Sequence, residues 1–437
     1  MSIATTPANF AELGLISPLL ARLTELEYQQ PTPIQAQAIP SVLAGRDLIA
    51  GANTGSGKTA TFALPILQKL YAKKLLTSKG SQSNKGNYVA GLILVPTREL
   101  AKQVADSIKS YAAHFNGAIK TVAVFGGVSV NIQMQALRGG TDILVATPGR
   151  LLDLIASNAI KLDLVNTLVL DEADRMLSLG FTEELSALLA LMPNKSVPKK
   201  KQTLLFSATF PEQVQTLTQE LLNDPIEIQV QSSDASTLVQ RVFTVNKGEK
   251  TAVLAHLIKQ HQWRQALIFV NAKTHCEHLA EKLSKRGIRA EVFHGDKGQG
   301  ARSRVFEGFK EGEIEVLIAT DIAARGLDIE KLPVVINFNL PRSPSDYMHR
   351  IGRSGRAGEV GLALSLIDHE DYHHFKVIEK KNKIQLEREQ VAGFEVDDVN
   401  LVDANKPMAK PEGSGKKKRK KRASVNADIW SGYSKSE

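Results

Sequence analysis

Short β-branched runs recur along this chain in two successive series, and that repetition limits the fold more than any other feature. In the first half they are Asp47–Ala50, Gly91–Val95, Thr121–Phe125, Asp142–Val145, Thr167–Leu170 and Thr203–Phe206. In the second half they are Leu267–Val270, Glu291–Phe293, Val316–Ala319, Val334–Ile336 and Gly361–Leu366. Helical patterns lie between them, as at Thr97–Tyr111, Thr274–Lys285 and Arg302–Lys310. Strands alternating with helices imply parallel sheets covered on both faces. The expected class is α/β, with two tandem parallel-sheet domains. Ligand sites in such sheets lie beyond the carboxyl ends of the strands, where the unusual residues of this sequence fall.

The 437 residues suit two domains plus added segments. With 43% hydrophobic and 23% charged residues, the chain as a whole is too apolar to be disordered. No apolar run approaches the roughly 20 residues of a membrane span, and MSIATTPANFAELG has no signal-peptide pattern. A single cysteine, Cys276, leaves no intramolecular disulfide and fits a reducing compartment. A cytoplasmic monomer with no membrane partner is expected.

The net charge of +9 is concentrated at one place. Residues 416–422 read KKKRKKR, and removing those seven charges leaves about +2 for the remainder. That run is an electrostatic arm for RNA or a solubilising tail, and it could also pass for a nuclear localisation signal. Composition suggests an N-terminal segment 1–36, a first domain 37–222, a linker 223–237, a second domain 238–385 and an extension 386–437. Disorder is expected from about Lys406, and Lys73–Tyr88 reads as a mobile insertion.

Ala52–Thr59 reads ANTGSGKT between a strand and a helix. In such a turn the backbone of Ala52, Asn53, Thr54, Gly55, Ser56 and Gly57 can point N–H groups at phosphate oxygens. Lys58 would reach the β- and γ-phosphates, and Thr59 would offer its hydroxyl to Mg²⁺. Residues 167–174 read TLVLDEAD, placing Asp171 and Glu172 at the carboxyl end of a strand. A nucleotide hydrolase needs one carboxylate there for Mg²⁺, usually through water, and another to orient or deprotonate the attacking water. The two signals together predict nucleotide hydrolysis.

With those motifs in place, the sequence resembles the DEAD-box RNA helicase family over nearly all of residues 10–370. The resemblance implies two tandem RecA-like parallel-sheet domains with a disordered basic C-terminal tail, ATP and Mg²⁺ as cofactors, and RNA as partner. Phe10 and PTPIQ (Pro31–Gln35) resemble the adenine-reading segment, with Gln35 on the adenine edge and Tyr28 or Phe10 packed nearby. The family usually has Gly at the position of Glu27, and Ala52 is its usual residue. Pro96, Thr97 and Arg98 of PTRELA, Gly126 and Gly127, and Thr147, Pro148, Gly149 and Arg150 resemble its RNA-backbone contacts. Hydroxyls, guanidinia and exposed glycine N–H groups suit phosphates without reading bases. Ser207, Ala208 and Thr209, with Asp174, resemble the segment coupling hydrolysis to strand separation.

The second domain contributes LIFVNAK, HGDKGQGAR, ATDIAARGLDI and HRIGRSGRAG, beginning at Leu267, His294, Ala319 and His349. The resemblance places Gly295 and Thr320 on RNA, Gln299 and Arg302 in organising the RNA side, and Asp328 on the ribose. Arg353 and Arg356 would act as arginine fingers, with His349 in the same catalytic set. Arg350, Arg353 and Arg356, spaced three apart in a Gly-rich setting, read as a catalytic cluster. Two groups, His369, His373 and His374, and His275, Cys276 and His278, lack a recognised metal-ligand pattern and read as solvated helix faces.

A site divided between two domains requires closure, so ATP and RNA should each strengthen binding of the other. The expected function is an ATP-dependent RNA helicase that unwinds short duplexes locally and non-processively, or remodels RNA–protein complexes, with little sequence specificity. The alternatives are an ATP-gated RNA clamp with little unwinding and a double-stranded DNA translocase, which fits PTPIQ and DEAD poorly. The basic tail and compact core resemble the bacterial RhlE-like branch. That branch implies ribosome assembly or RNA turnover, with ribosomal precursors or RNA-decay proteins as partners.

Overall fold

The computed structural model describes residues 9–51, 56–77, 86–115, 119–192, 201–230, 238–324, 332–355 and 361–396. The first sheet contains β1 (Leu48–Gly51), β2 (Val89–Leu94), β3 (Thr121–Val124), β4 (Thr141–Ala146), β5 (Thr167–Leu170), β6 (Gln202–Ser207) and β7 (Ile226–Gln229). Its strands are all parallel, in the order β3-β4-β2-β5-β6-β1-β7. The second contains β8 (Leu238–Thr244), β9 (Ala266–Val270), β10 (Glu291–Phe293), β11 (Val316–Thr320), β12 (Val334–Asn337), β13 (Gly361–Ile367) and β14 (Arg388–Glu389). It is also parallel, in the order β10-β11-β9-β12-β13-β8-β14. Numbered within itself, each sheet winds 3-4-2-5-6-1-7, so the second repeats the topology of the first.

The central strands are apolar along their whole length because helices cover both of their faces. β5 and β9 are buried at every position. On one face of the first sheet, Phe62 of the helix Lys58–Thr77 meets Phe206 of β6 with ring centroids 5.4 Å apart. Both side chains are fully buried, each contributing about 2–3 kcal/mol by leaving water.

Three strands lie where the apolar-run criterion misses them. β7 falls inside 223–237, the segment expected to be a linker. An edge strand needs only one apolar face, and here Ile228 is buried while Glu227 and Gln229 are exposed. Ile226 N–H donates to Asp47 O (2.9 Å), so the first sheet extends past residue 222. β8 contains Gln240 and Arg241, and it is half-exposed over its first four residues. β14 lies beyond the expected boundary at 385. It is held by Arg241, whose guanidinium pairs with Glu389, and Val391 beyond it is buried.

Other boundaries shift for local reasons. β1 begins at Leu48, just after Asp47, whose carboxylate accepts from Thr203 N and Asn223 N, both at 2.9 Å. The helix after β1 runs to Thr77, into the expected insertion. Thr97 precedes its helix as N-cap, accepting from Leu100 N, and the helix Gln299–Lys310 starts before Arg302. The basic run 416–422 and the expected disorder from Lys406 lie outside the described residues.

Candidate active site at the strand ends

Lys58, Asp171 and Ser207 stand at the carboxyl ends of β1, β5 and β6, three strands side by side in the first sheet. Lys58 opens the helix after β1 and is 7% exposed. The loop before it is held from behind by the PTPIQ helix. Thr32 Oγ1 donates to Ser56 O (2.7 Å), Gln35 Nε2 donates to Gly57 O (3.2 Å), and Gln35 Oε1 accepts from Thr32 N (2.9 Å). Gly57 has φ 90°, and a Cβ there would overlap the Gln35 amide and lie 3.0 Å from Thr32 Oγ1. Only glycine fits that close approach. Gln35 is thus bonded directly to the loop that precedes Lys58.

The aromatic pair Phe10 and Tyr28 is unequally exposed. Phe10 is buried in the core, whereas Tyr28 is 37% exposed, with ring centroids 6.2 Å apart. Tyr28 is fixed by an O–H contact of 3.0 Å with Tyr111. Glu27 adopts φ 59°, a left-handed conformation that suits the glycine usual at this position in the resembled family.

Asp171 is 3% exposed and accepts from Glu172 N at 3.0 Å. Burial pushes its carboxyl up to about 6, against the pull of Lys58 and with a push from Glu172. Glu172 sits at φ 53° and starts the helix Ala173–Ser178. A left-handed glutamate costs on the order of 1–2 kcal/mol, strain of the kind that collects at functional sites. Asp174 Oδ2 accepts from both Thr209 N (3.0 Å) and Thr209 Oγ1 (2.6 Å). Ser207 Oγ donates to Thr209 O at 2.6 Å. DEAD and SAT are therefore one hydrogen-bonded unit across β5 and β6.

Lys58, Glu172, Asp174 and Ala208 face His349 and Arg353 of the second domain across a single narrow cleft. Arg175 also lines it and pairs with Asp346 on the helix Pro344–Ile351. Sequence reasoning missed both residues. Arg350, read as part of the arginine cluster, has another place. It is fully buried and bonds Asp321 through two nitrogens at 2.6 Å. It also donates to Asn337 Oδ1, Asn339 O and Asn271 Oδ1, and lies over the Phe269 ring. Its donors tie together the carboxyl ends of β11, β9 and β12, so it does not face the cleft. Ala52–Gly55, Asp328 and Arg356 lie outside the described residues.

The expected RNA contacts occupy the other half of each sheet. Pro96, Thr97 and Arg98 follow β2, Gly126 and Gly127 follow β3, and Thr147–Arg150 follow β4. These three strands are adjacent. Gly127 has φ 79° and packs against the Arg98 guanidinium, which a Cβ would overlap. Arg150 Nη1 donates to Val128 O at 2.9 Å. In the second sheet, Gly295 follows β10 and Thr320 ends β11, again adjacent strands. Between the halves, Arg302 pairs with Glu99 at 2.7 Å and Lys102 with Glu307 at 3.7 Å. Gln299 lines the same groove.

Of the residues read as solvated helix faces, His275, His278, His369 and His373 are exposed, whereas Cys276 and His374 are not. Cys276 is fully buried, which pushes its thiol up to about 12, and His374 Nε2 contacts Pro341 O at 2.7 Å. Among the described residues no group of three or more His, Cys, Asp or Glu could hold a metal ion.

Residues 32–217 match the family model described as DEAD/DEAH box helicase, and residues 249–358 match the helicase conserved C-terminal domain. The chain is similar to the ATP-dependent RNA helicase CshA of Listeria monocytogenes, 38% identical over 381 residues, which span 87% of this chain and 70% of that one. It is also similar to the ATP-dependent RNA helicase DeaD of Escherichia coli, 38% identical over 396 residues, 90% of this chain and 60% of that one. Among solved structures, S. cerevisiae Dbp5 bound to RNA and ADP BeF3 superposes with a TM-score of 0.74 at 28% identity, covering 91% and 99% of the two chains. A DEAD box protein from Methanococcus jannaschii gives 0.50 at 36% identity, covering 88% and 99%.

Proposed function

The chain belongs to the DEAD/DEAH box family as a DEAD-box ATP-dependent RNA helicase, and from that premise we propose that its two RecA-like sheets form a split catalytic clamp. One observation carries the reading: Lys58, Glu172 and Ala208 from the first sheet share a cleft with His349 and Arg353 from the second. Neither set alone surrounds a γ-phosphate, so hydrolysis requires the sheets to come together. The fuller superposition on the relative bound to RNA and ADP BeF3 supports this arrangement.

Lys58 neutralises the β- and γ-phosphates, and Glu172 orients and deprotonates the attacking water. Arg353, with His349 beside it, stabilises charge developing on the γ-phosphate. Arg356 as second finger, Asp328 on the ribose and Ala52–Gly55 around the phosphates are proposed from the family resemblance. Gln35 reads the adenine edge while bonded to the phosphate loop. Tyr28, the exposed ring, packs beside the base with Phe10 behind it.

Magnesium fits this end of the cleft. Thr59 and Asp171 present hard oxygen donors, and Asp171 is a carboxylate whose burial outweighs its attraction to Lys58. Thr59 and Asp171 would hold the ion, Asp171 partly through water; when bound it would supply positive charge beside the phosphate oxygens.

Thr97, Arg98, Gly126, Gly127, Thr147, Gly149, Arg150, Gly295 and Thr320 hold the sugar–phosphate backbone, with Pro96 and Pro148 shaping their loops. The Asp174–Ser207–Thr209 unit, with Gln299 and Arg302 across the groove, transmits closure to the bound strand. Backbone contacts give little sequence specificity, and a clamp that reopens after each hydrolysis unwinds short duplexes locally. We place this activity in ribosome assembly or RNA turnover, as a cytoplasmic monomer, on the resemblance to bacterial helicases. Among the described residues no helix is long and apolar enough to cross a membrane.

Steady-state ATPase activity with no nucleic acid, with single-stranded RNA and with matched DNA tests the proposal. Strong stimulation by RNA alone is expected, and activity indifferent to RNA would refute the split clamp.

A further inference from the structure

Arg175 follows the DEAD string directly, on the helix that the strained Glu172 begins. Its side chain is 10% exposed, and its guanidinium meets the Asp346 carboxylate, itself 14% exposed, on the opposite domain. Asp346 lies in the first turn of the helix Pro344–Ile351, where the helix dipole also favours a negative charge. One turn further along, His349 Nδ1 is 3.9 Å from the same carboxylate oxygen, and Arg353 follows just past the helix end.

This helix moves as one piece with its sheet, because Arg350 fastens it to Asp321, Asn337, Asn339 and Asn271. Whatever fixes Asp346 relative to the first domain therefore also fixes His349 and Arg353. On the other side, Arg175 is separated from Glu172 by only two residues of a short helix. A rigid link between Arg175 and Asp346 thus sets the gap between the two edges of the cleft. Exposed ion pairs contribute little, but a pair so largely withdrawn from water is screened less.

We propose that Arg175 is a positioning residue. On closure it pairs with Asp346 and holds the His349–Arg353 edge in register with Glu172 and Lys58. The inference rests on the split-clamp reading of the cleft. The pair exists only when the domains meet, whereas Lys58 and the phosphate loop belong to the first domain alone. Its energy therefore enters the closed, reacting state and leaves initial ATP binding unchanged. The effect belongs in kcat and in ATP–RNA coupling rather than in KM for ATP.

The test uses the full chain with Arg175→Gln, Asp346→Asn, Arg175→Asp, Asp346→Arg and the double charge exchange Arg175→Asp/Asp346→Arg. RNA-stimulated kcat, KM for ATP and thermal midpoints are measured for each beside the wild type. Arg175→Gln should lower kcat roughly tenfold or more, equivalent to about 1.4 kcal/mol, with KM within about threefold and the midpoint unchanged. Each single charge reversal should be worse, and the double exchange should recover kcat to within a few-fold of the wild type. That recovery shows that the two side chains act as a pair, and the loss of kcat at unchanged KM and midpoint is what a merely structural role would not give. Wild-type kcat in Arg175→Gln, or additive losses in the double exchange, would overturn the proposal. A wild type that RNA fails to stimulate would instead refute the split clamp itself.

Discussion

Thr209 donates both its backbone N–H and its hydroxyl to one oxygen of Asp174, at 3.0 and 2.6 Å, across neighbouring strands β6 and β5. The link joins the last residue of DEAD to the last of SAT, so on the proposed function a change at the nucleotide end of β5 should be felt at the end of β6. Thr209→Val removes the hydroxyl bond at nearly constant volume. We expect strand displacement of a short RNA duplex to fall roughly tenfold or more while RNA-stimulated ATPase falls by less than about threefold. The lost charge-assisted bond, worth about 1.5–3 kcal/mol, should also lower the thermal midpoint by a few degrees. Equal loss of both activities would show that the unit serves hydrolysis alone.

Glu172 offers a cleaner dissection of chemistry. Glu172→Gln keeps the size and the backbone of a residue held at φ 53° but removes the carboxylate proposed as the base. Turnover should fall on the order of 10²–10⁴-fold, as expected for loss of a general base. Affinity for a fluorescent ATP analogue should stay within a few-fold of the wild type. Retained turnover would assign the base elsewhere.

How much of this was legible follows from which interactions leave a local trace. β5 and its following Asp171–Glu172 were readable because a strand buried on both faces is a continuous apolar run that stops abruptly at polar residues. β7 was not, since an edge strand needs one apolar face and Glu227 and Gln229 interrupt its pattern. The Arg175–Asp346 pair joins positions 171 residues apart, and no spacing rule connects them. Glu99, partner of Arg302, lay unnoticed within PTRELA for the same reason. Arg350 was grouped with Arg353 on spacing alone. The helix ends at Ile351, however, so the two arginines face different surroundings.

That burial gives Arg350 a testable character of its own. Lysine in its place keeps one charge but cannot make the fork to Asp321 or reach Asn337, Asn339 and Asn271 together. Asp321 would be left without that paired fork beside a fully buried site. Because the charge remains and Asp321 is partly exposed, the loss is that of buried acceptors left unmet, about 1–3 kcal/mol. Arg350→Lys should therefore lower stability to urea by about that amount, with activity lost in proportion to the folded fraction. Normal stability with a selective loss of turnover would return Arg350 to the catalytic cluster.

Asp171 makes the protein's stability depend on pH in a direction opposite to that of a salt-bridged carboxylate. Burial raises its folded-state value from 3.8 to about 6, so the folded chain holds this proton more tightly than the unfolded chain does. The contribution is fully present below about pH 4 and is lost as pH rises through about 6. At neutral pH the buried carboxylate therefore costs the metal-free protein up to about 3 kcal/mol. Asp171→Asn removes the ionisation while keeping the shape. Its thermal midpoint, relative to the wild type without nucleotide, should climb between pH 5 and pH 7.5. Because Mg²⁺ demands the ionised form, apparent Mg²⁺–ATP affinity of the wild type should rise over the same interval, with its midpoint near pH 6. A midpoint difference flat from pH 5 to 7.5 would mean that Asp171 stays ionised throughout, with its charge already compensated in the folded chain.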